Sequence, residues 1–445
     1  MKISVIGLGK LGAPLAAVLA HKGHTVIGID QDPRPVSLLN QGQAPVFEPD
    51  LEKLIRSAGG RLSATTDYEK AVLGTEITFI VVPTPSDSNG RFSTEFVLES
   101  AESVGSVLAG KEGFHLVVLT STVMPGDTTG KVLPALERSS GKKCGTDFGL
   151  CYNPEFIALG TVIRDMLRPD FILIGESDSR SGGMLEMHYR GLCGEKVPIA
   201  RMSFVNAELT KLAVNTFVTT KISYANMLSQ MCERLPGANV DTVTQALGWD
   251  SRIGGKYLKG GLGYGGPCFP RDNVAFIRLA SELGIQASLP AATDEINRSQ
   301  VPRLAELVLK QANCGWTIGI LGLAYKPNTE VVEASQGLEL ARYLSSRDFA
   351  VVVYDPAGTE KAKEFLNHTV NFASSLEECV EASDLIVLST PWEEFRKVTP
   401  ELLQRQGRQR VVIDCWRFLD ASKIQEVADY IPFGIGSEQE RERVP

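Results

Sequence analysis

The chain opens MKISVIGLGKLGAPLAAVLAHKGHTVIGID (residues 1–30), and the fold turns on how this stretch is read. A short apolar run at 3–6 leads straight into Gly7, Gly9 and Gly12. An Ala/Leu-rich stretch follows, then a second apolar run at 26–29 that ends on Asp30. Strand, glycine turn, helix and strand in that order begin a parallel sheet wound with helices. In such a G-x-G-x-x-G turn the first glycine permits the tight bend and the third lets the helix pack closely. The second lets a pyrophosphate approach the backbone, and the helix N-terminus attracts its charge. Asp30 stands 23 residues after Gly7, where a carboxylate accepts hydrogen bonds from the adenosine ribose hydroxyls and repels a 2′-phosphate. The expectation is a dinucleotide site for NAD rather than NADP, with Asp32 as a solvated loop acid.

The same opening has the early lysine and apolar stretch of a signal peptide. Lys10, the three glycines and Pro14 interrupt it, so a buried first strand and helix is the better reading. Further apolar runs at 77–82, 116–120, 148–152 and 171–174 alternate with helical patterns, as in a parallel sheet covered on both faces. This domain is expected to occupy residues 1–200. From 203 to 235 the pattern becomes one long helix, with Leu209, Leu212, Ala213, Phe217 and Met227 at helical spacings, stopped by Pro236 and Gly237. More helical segments and no strand follow to about 310, so residues 201–310 read as an all-helical part suited to dimer contacts. Runs at 318–321, 351–354, 385–389 and 411–414 return the alternation and define a third domain over 311–445. The fold class is therefore α/β, with two Rossmann-like, doubly wound parallel-sheet domains joined by a long-helix dimerisation domain. The tail GSEQERERVP (436–445) reads as solvated.

Composition narrows the classes. The chain has 445 residues, 43% hydrophobic and 22% charged, so it can bury a sizeable core and is neither disordered nor membrane-like. A net charge of -8 argues against a sequence-independent grip on nucleic acid. No uncharged apolar run reaches the roughly 18 residues of a spanning helix, and a cytoplasmic protein is expected. The eight cysteines are never closer than seven positions, which leaves no CxxC pair, and most read as reduced buried thiols. His21 and His24 read as surface histidines after a helix, and no metal is expected.

One cysteine has an unusual setting. In GLGYGGPCFPRD (261–272), Gly263, Gly265 and Gly266 would let a ligand lie against bare backbone, while Pro267 and Pro270 restrain Cys268. Asp272 follows one helical turn later. A thiol beside a dinucleotide can trap an aldehyde as a thiohemiacetal, whose oxidation gives a thioester. A structural cysteine in a glycine loop is the plainer alternative. In NAELTKLAVN (206–215), Lys211 and Asn215 are four apart and share a face, where together they could stabilise an oxyanion. Taken alone, Glu208, Lys211 and Asn215 also fit a solvated polar face.

These motifs together resemble the UDP-glucose/GDP-mannose dehydrogenase family over nearly the whole chain. The carriers are GLGKLG (7–12), PTP (83–85), STVMPGDTT (121–129), NPEF (153–156), NAELTKLAVN, GYGGPCFPRD (263–272) and GLAYKPNTE (322–330). The resemblance implies an NAD-binding domain, a helical dimerisation core and a C-terminal domain holding a nucleotide sugar, in a homodimer or higher homo-oligomer. By position it makes Cys268 the nucleophile, and gives Lys211, Asn215 and Asp272 the handling of protons and the oxyanion. It sets Glu155 and Thr122 around the nicotinamide and the catalytic water, and Gly7, Gly9, Lys10, Leu11, Gly12, Asp30, Arg34 and Thr84 around the cofactor. Phe156, Arg252, Tyr257, Leu258, Gly265 and Lys326, with Lys211 and Asn215, fall where the family grips the sugar and diphosphate. Lys326 makes independent sense, since a diphosphate needs a cation in an acidic protein.

Four positions depart from the family pattern. Leu159 stands where NPEFxxEG carries an acid, Val331 and Glu333 replace an acid and an arginine of TDDxRES, and Pro35 replaces a basic residue. A negative charge for a positive one beside phosphates is not a neutral change. The resulting expectation is an NAD-dependent, four-electron oxidation of the C6 alcohol of a nucleotide sugar, UDP-glucose foremost. Another nucleotide sugar, a two-electron hydroxy-acid dehydrogenase and a non-catalytic nucleotide-sugar sensor are the alternatives.

Overall fold

The computed structural model describes residues 1–366 and 370–436, and the tail reading for 437–445 lies outside the described residues. The chain divides into two compact units, Met1–Ala213 and Val214–Pro445. In the first unit the strands are β1 Lys2–Ile6, β2 Thr25–Ile29, β3 Leu62–Thr65, β4 Ile77–Ile80, β5 His115–Leu119, β6 Phe148–Tyr152, β7 Ile172–Glu176 and β8 Ile199–Met202. They form one sheet in the order β3-β2-β1-β4-β5-β6-β7-β8. Alternation of side chains along each strand builds the two faces. Leu116 and Val118 of β5 join one apolar cluster, Val117 and Leu119 the other.

The expectation of a wholly parallel sheet needs one correction, because β6 and β7 pair antiparallel, with Tyr152 opposite Gly175. The connection between them contains only the six-residue helix Val162–Leu167. The chain re-enters the sheet from the end at which it left, so β7 returns beside β6 in reverse. Strands β3 and β8 were absent from the sequence reading because, at the edges or half covered, they lack a continuous apolar run: every residue of β8 is only half-buried.

The second unit holds strands β9 Thr317–Leu321, β10 Ala350–Tyr354, β11 Asn371–Phe372, β12 Leu385–Leu388, β13 Arg410–Asp414 and β14 Ala428–Pro432, ordered β11-β10-β9-β12-β13-β14. Every pair is parallel. Before this sheet the chain is helical, with Phe204–Arg234, Val240–Trp249, Phe269–Glu282, Ser288–Arg298 and Gln300–Gln311 and, among the described residues, no intervening strand. The long helix Phe204–Arg234 begins in the first unit and ends in the second. Asn239 caps the helix that follows by accepting the N–H of Asp241 at 2.8 Å.

Candidate active site

The glycine turn after β1 separates its three glycines by use. Gly7 has φ +92°, and a Cβ there would lie 2.6 Å from the Val81 carbonyl oxygen. A Cβ on Gly12 would lie 1.8 Å from the Gly7 oxygen. The chain's own packing thus demands both. Gly9 is exposed with nothing within 4 Å of a built Cβ, which leaves its backbone approachable at the start of helix Gly12–His21. Asp30 is fixed in place: Oδ2 accepts the Leu8 N–H at 2.7 Å and Oδ1 the Asp32 N–H at 3.0 Å. An open second glycine, a helix N-terminus and a fixed carboxylate at the end of β2 fit NAD. Lys10 is exposed, Leu11 packs partly into the core and Thr84 is buried.

Arg34 is exposed, and its guanidinium forks onto the Asp32 carboxylate, the closest contact being 2.6 Å. Asp32 is more than a solvated acid. It caps helix Pro33–Asn40 through the Arg34 N–H, and the guanidinium holds its carboxyl below the usual range.

Two loops leave the carboxyl ends of β5 and β6. The first carries Thr122, half-buried, and Ser121, whose hydroxyl donates to the Val82 carbonyl at 2.7 Å. The second begins at Asn153, which takes the Tyr189 hydroxyl at 2.5 Å and donates to the Leu173 carbonyl at 2.9 Å. Lys211 Nζ donates to the Glu155 carbonyl oxygen at 2.6 Å and lies 4.7 Å from the centre of the Phe156 ring. Phe156 stacks in turn against Phe171, with centroids 4.7 Å apart. Glu155 is half-buried as a residue, yet loss of water around its carboxyl pushes it up to about 7, against the opposing pull of the Lys211 ammonium. Leu159 packs partly into the core. Glu48, a residue missed by the sequence reading, takes the N–H groups of Gly160 and Val162, each at 2.8 Å.

The solvated-face reading of the long helix is overturned. Glu208 has no exposed surface, while Lys211 and Asn215 are each at least nine-tenths buried. Glu208 accepts the N–H groups of Gly126 at 2.6 Å and Thr128 at 2.9 Å. Charge on a helical pattern is ordinarily solvated, and only the partner loop, some eighty residues away in sequence, makes it otherwise.

In the second unit Cys268 is exposed and occupies the position before helix Phe269–Glu282. The Asp272 N–H closes on the Cys268 carbonyl at 2.8 Å, so the two residues share the first helical turn as expected. Asp272 is wholly buried. Asn215 Nδ2 donates to its Oδ2 at 2.5 Å, and Arg271 donates to Oδ1 at 3.1 and 3.0 Å. Arg271, unremarked in the sequence, thus holds the buried carboxylate.

The glycines of this loop are demanded by the chain's own packing. A Cβ on Gly263 would meet Asn297 Oδ1 at 2.3 Å, one on Gly265 the Ala334 oxygen at 2.3 Å, and one on Gly266 the Tyr325 ring at 2.6 Å. The protein's own Asn297, Ala334 and Tyr325 thus lie against the Cβ side of this backbone. The Gly266 N–H donates to the Glu333 carbonyl at 2.9 Å, tying in the segment that departs from the family pattern. Within that segment Val331 is buried, Glu333 is exposed, and Ala334 takes a left-handed φ of +51°. Lys326 Nζ lies 5.8 Å from the Tyr325 ring centre. Leu258 is buried, and Tyr257 is exposed at φ +64°. Arg252, expected on the substrate, is an exposed side chain forked onto Asp250 at 2.6 Å. Among the described residues no group of three or more His, Cys, Asp or Glu is placed to hold a metal, and no helix is long and apolar enough to cross a membrane.

Residues 1–193, 205–299 and 319–421 match, in that order, the NAD binding domain, the central domain and the UDP binding domain of the UDP-glucose/GDP-mannose dehydrogenase family. The chain is 37% identical over 418 residues to the UDP-glucose 6-dehydrogenase of Haloferax volcanii, covering 93% of this chain and 96% of that protein. It is 34% identical over 434 residues to the GDP-mannose 6-dehydrogenase of Pseudomonas putida, covering 94% and 97%. The structure of a UDP-glucose dehydrogenase from the hyperthermophilic archaeon Pyrobaculum islandicum superimposes with a TM-score of 0.87 at 36% identity, covering 97% of this chain and 96% of that one.

Proposed function

The chain belongs to the UDP-glucose/GDP-mannose dehydrogenase family, and from that premise we propose that it oxidises the C6 alcohol of a nucleotide sugar to the carboxylate, with UDP-glucose giving UDP-glucuronate. The relatives at 37% and 36% identity that are named for UDP-glucose support this choice of sugar. When bound to the first unit, NAD supplies the acceptor for the electron pair that leaves C6 in each of two oxidations.

The observation that carries the reading is an exposed thiol at a helix N-terminus, one turn from a buried carboxylate that Arg271 and Asn215 both hold. A helix N-terminus favours the thiolate. In the proposed sequence Lys211, or a water on Asp272, takes the hydroxyl proton during the first oxidation. The Cys268 sulfur then adds to the aldehyde carbon, forming a C–S bond, and the aldehyde oxygen gains a proton under Asn215 and Lys211. The second oxidation removes that proton from oxygen and the remaining C6 hydrogen with its electron pair, to leave a thioester. Water near Glu155 and Asp272 adds to the thioester, the C–S bond breaks, and the thiol and a carboxylate are released. The sum is one alcohol, two NAD and one water giving one carboxylate, two NADH and three protons.

Thr122 and Thr84 are assigned to the cofactor side with Gly7, Gly9, Gly12 and Asp30. Phe156, Tyr257, Leu258, Gly265, Lys326 and Arg252 are assigned to the sugar nucleotide, Arg252 after leaving Asp250. We further assign residues 1–200, 201–310 and 311–445 to NAD binding, dimerisation and nucleotide-sugar binding in a cytoplasmic enzyme. Phe217, Tyr224 and Met231 are exposed at seven-residue spacing on the long helix, one stripe that a second copy would cover.

The test incubates the purified protein and NAD with UDP-, GDP- and dTDP-sugars and counts NADH per nucleotide consumed. Two NADH with UDP-glucose preferred is the expected result, and preference for GDP-mannose would overturn the substrate assignment. One NADH would support a hydroxy-acid type of reaction instead, and NAD binding without turnover a sensor. A Cys268→Ser protein that completed both oxidations at the normal rate would defeat the role given to the thiol.

A further inference from the structure

Glu208 is a buried carboxylate that the proposed chemistry does not use. Burying such a charge is unfavourable unless hydrogen bonds repay it, and its bonds run to the backbone of a distant loop, at Gly126 and Thr128. That loop is held at its other end by Ser121, through the Val82 carbonyl. Thr122 and Val123 therefore stand between two anchors. Three residues further along the helix, Lys211 holds the second loop through the Glu155 carbonyl at 2.6 Å. Residues three apart are neighbours on one helix face. A single turn of helix thus grips both loops that leave the carboxyl ends of β5 and β6.

We infer that Glu208 is a positioning residue, which with Lys211 clasps the two loops so that Thr122 and Glu155 keep a fixed register. The inference rests on the roles proposed above for Thr122, Lys211 and Glu155, and adds a residue whose carboxylate is taken up by the loop backbone. Misplacement of a reacting group by a change remote from the chemistry costs rate rather than binding.

Glu208→Gln keeps the size of the side chain but turns an NH₂ group toward one of the two loop N–H donors, so one tie is lost. Amide exchange followed by mass spectrometry should show residues 121–130 protected in the wild type and exchanging about tenfold faster in the variant. The variant's kcat should fall between about ten- and a hundredfold, with KM for NAD and for the sugar nucleotide within about threefold. A deuterium isotope effect from C6-labelled sugar should grow. Glu208→Asp, which keeps the charge on a shorter arm, reads the same split if the glutamine protein does not fold.

The inference is overturned if the loop loosens while kcat holds, if exchange over 121–130 is unchanged, or if activity in both variants merely follows the folded fraction. A wild-type protein that turns over no nucleotide sugar would instead sink the proposed function, while the exchange result would still report whether Glu208 holds the loop.

Discussion

Asn215 Nδ2 lies 2.5 Å from Oδ2 of Asp272, while Arg271 occupies the other carboxylate oxygen at 3.0 and 3.1 Å. A wholly buried carboxylate with both oxygens engaged by donors orients the carboxamide opposite it. Asp272→Ala removes the carboxylate partner of a guanidinium that is itself three-quarters buried. The expected loss is about 3–5 kcal/mol, the cost of breaking a buried pair from one side. Urea unfolding of the two proteins measures it, and an unchanged midpoint would contradict the assigned electrostatics.

The glycine turn gives a paired prediction. Gly12→Ala forces a methyl into the Gly7 carbonyl and should sharply destabilise the first unit, whereas Gly9→Ala meets nothing and should melt near the wild-type temperature. The Gly9 variant should nevertheless bind NAD at least about tenfold more weakly, because its methyl occupies the face open to a pyrophosphate. Thermal melts and NAD titrations of both proteins separate a packing role from a binding role.

Glu155 gives a pH prediction with a definite sign. Burial raises its carboxyl from an ordinary 4.5 to about 7, so the folded chain holds the proton more tightly than the unfolded chain does. Its contribution to stability is complete below pH 4.5, falls as the pH climbs to about 7, and is absent above that. If its carboxylate activates the water, kcat should rise through an inflection near 7, and Glu155→Gln should flatten that limb.

Asp30 and Arg34 should separate cleanly. Asp30→Ala removes the fixed carboxylate and should raise KM for NAD about tenfold or more while admitting some NADP. Arg34→Ala, whose guanidinium serves Asp32 on the surface, should change KM for NAD by less than about twofold. Steady-state kinetics with both dinucleotides decides between them.

What was legible in the sequence follows from the range of the forces involved. The glycine turn and Asp30 declare themselves because one backbone bend holds the three glycines and Asp30 ends the next strand, and both sheets announce themselves through central strands buried on two faces. Edge strands such as β8, being only half covered, do not. Cys268 and Asp272 could be placed on one turn from spacing alone. The uses of Glu208 and Glu48 could not, since each depends on a loop roughly eighty or more residues distant. The glycines at 263–266 show by residue type that something comes close to the backbone, but not that the chain's own Tyr325 and Ala334 do so.

That last contact has a bearing on engineering. The curve of backbone ahead of the thiol is moulded by the stretch between Tyr325 and Ala334, to which the Gly266 N–H is also bonded. Transplanting residues 263–272 alone into another scaffold would deliver the nucleophile without its mould. A graft that retains its shape has to bring both segments, and a library that varies either has to vary the other with it.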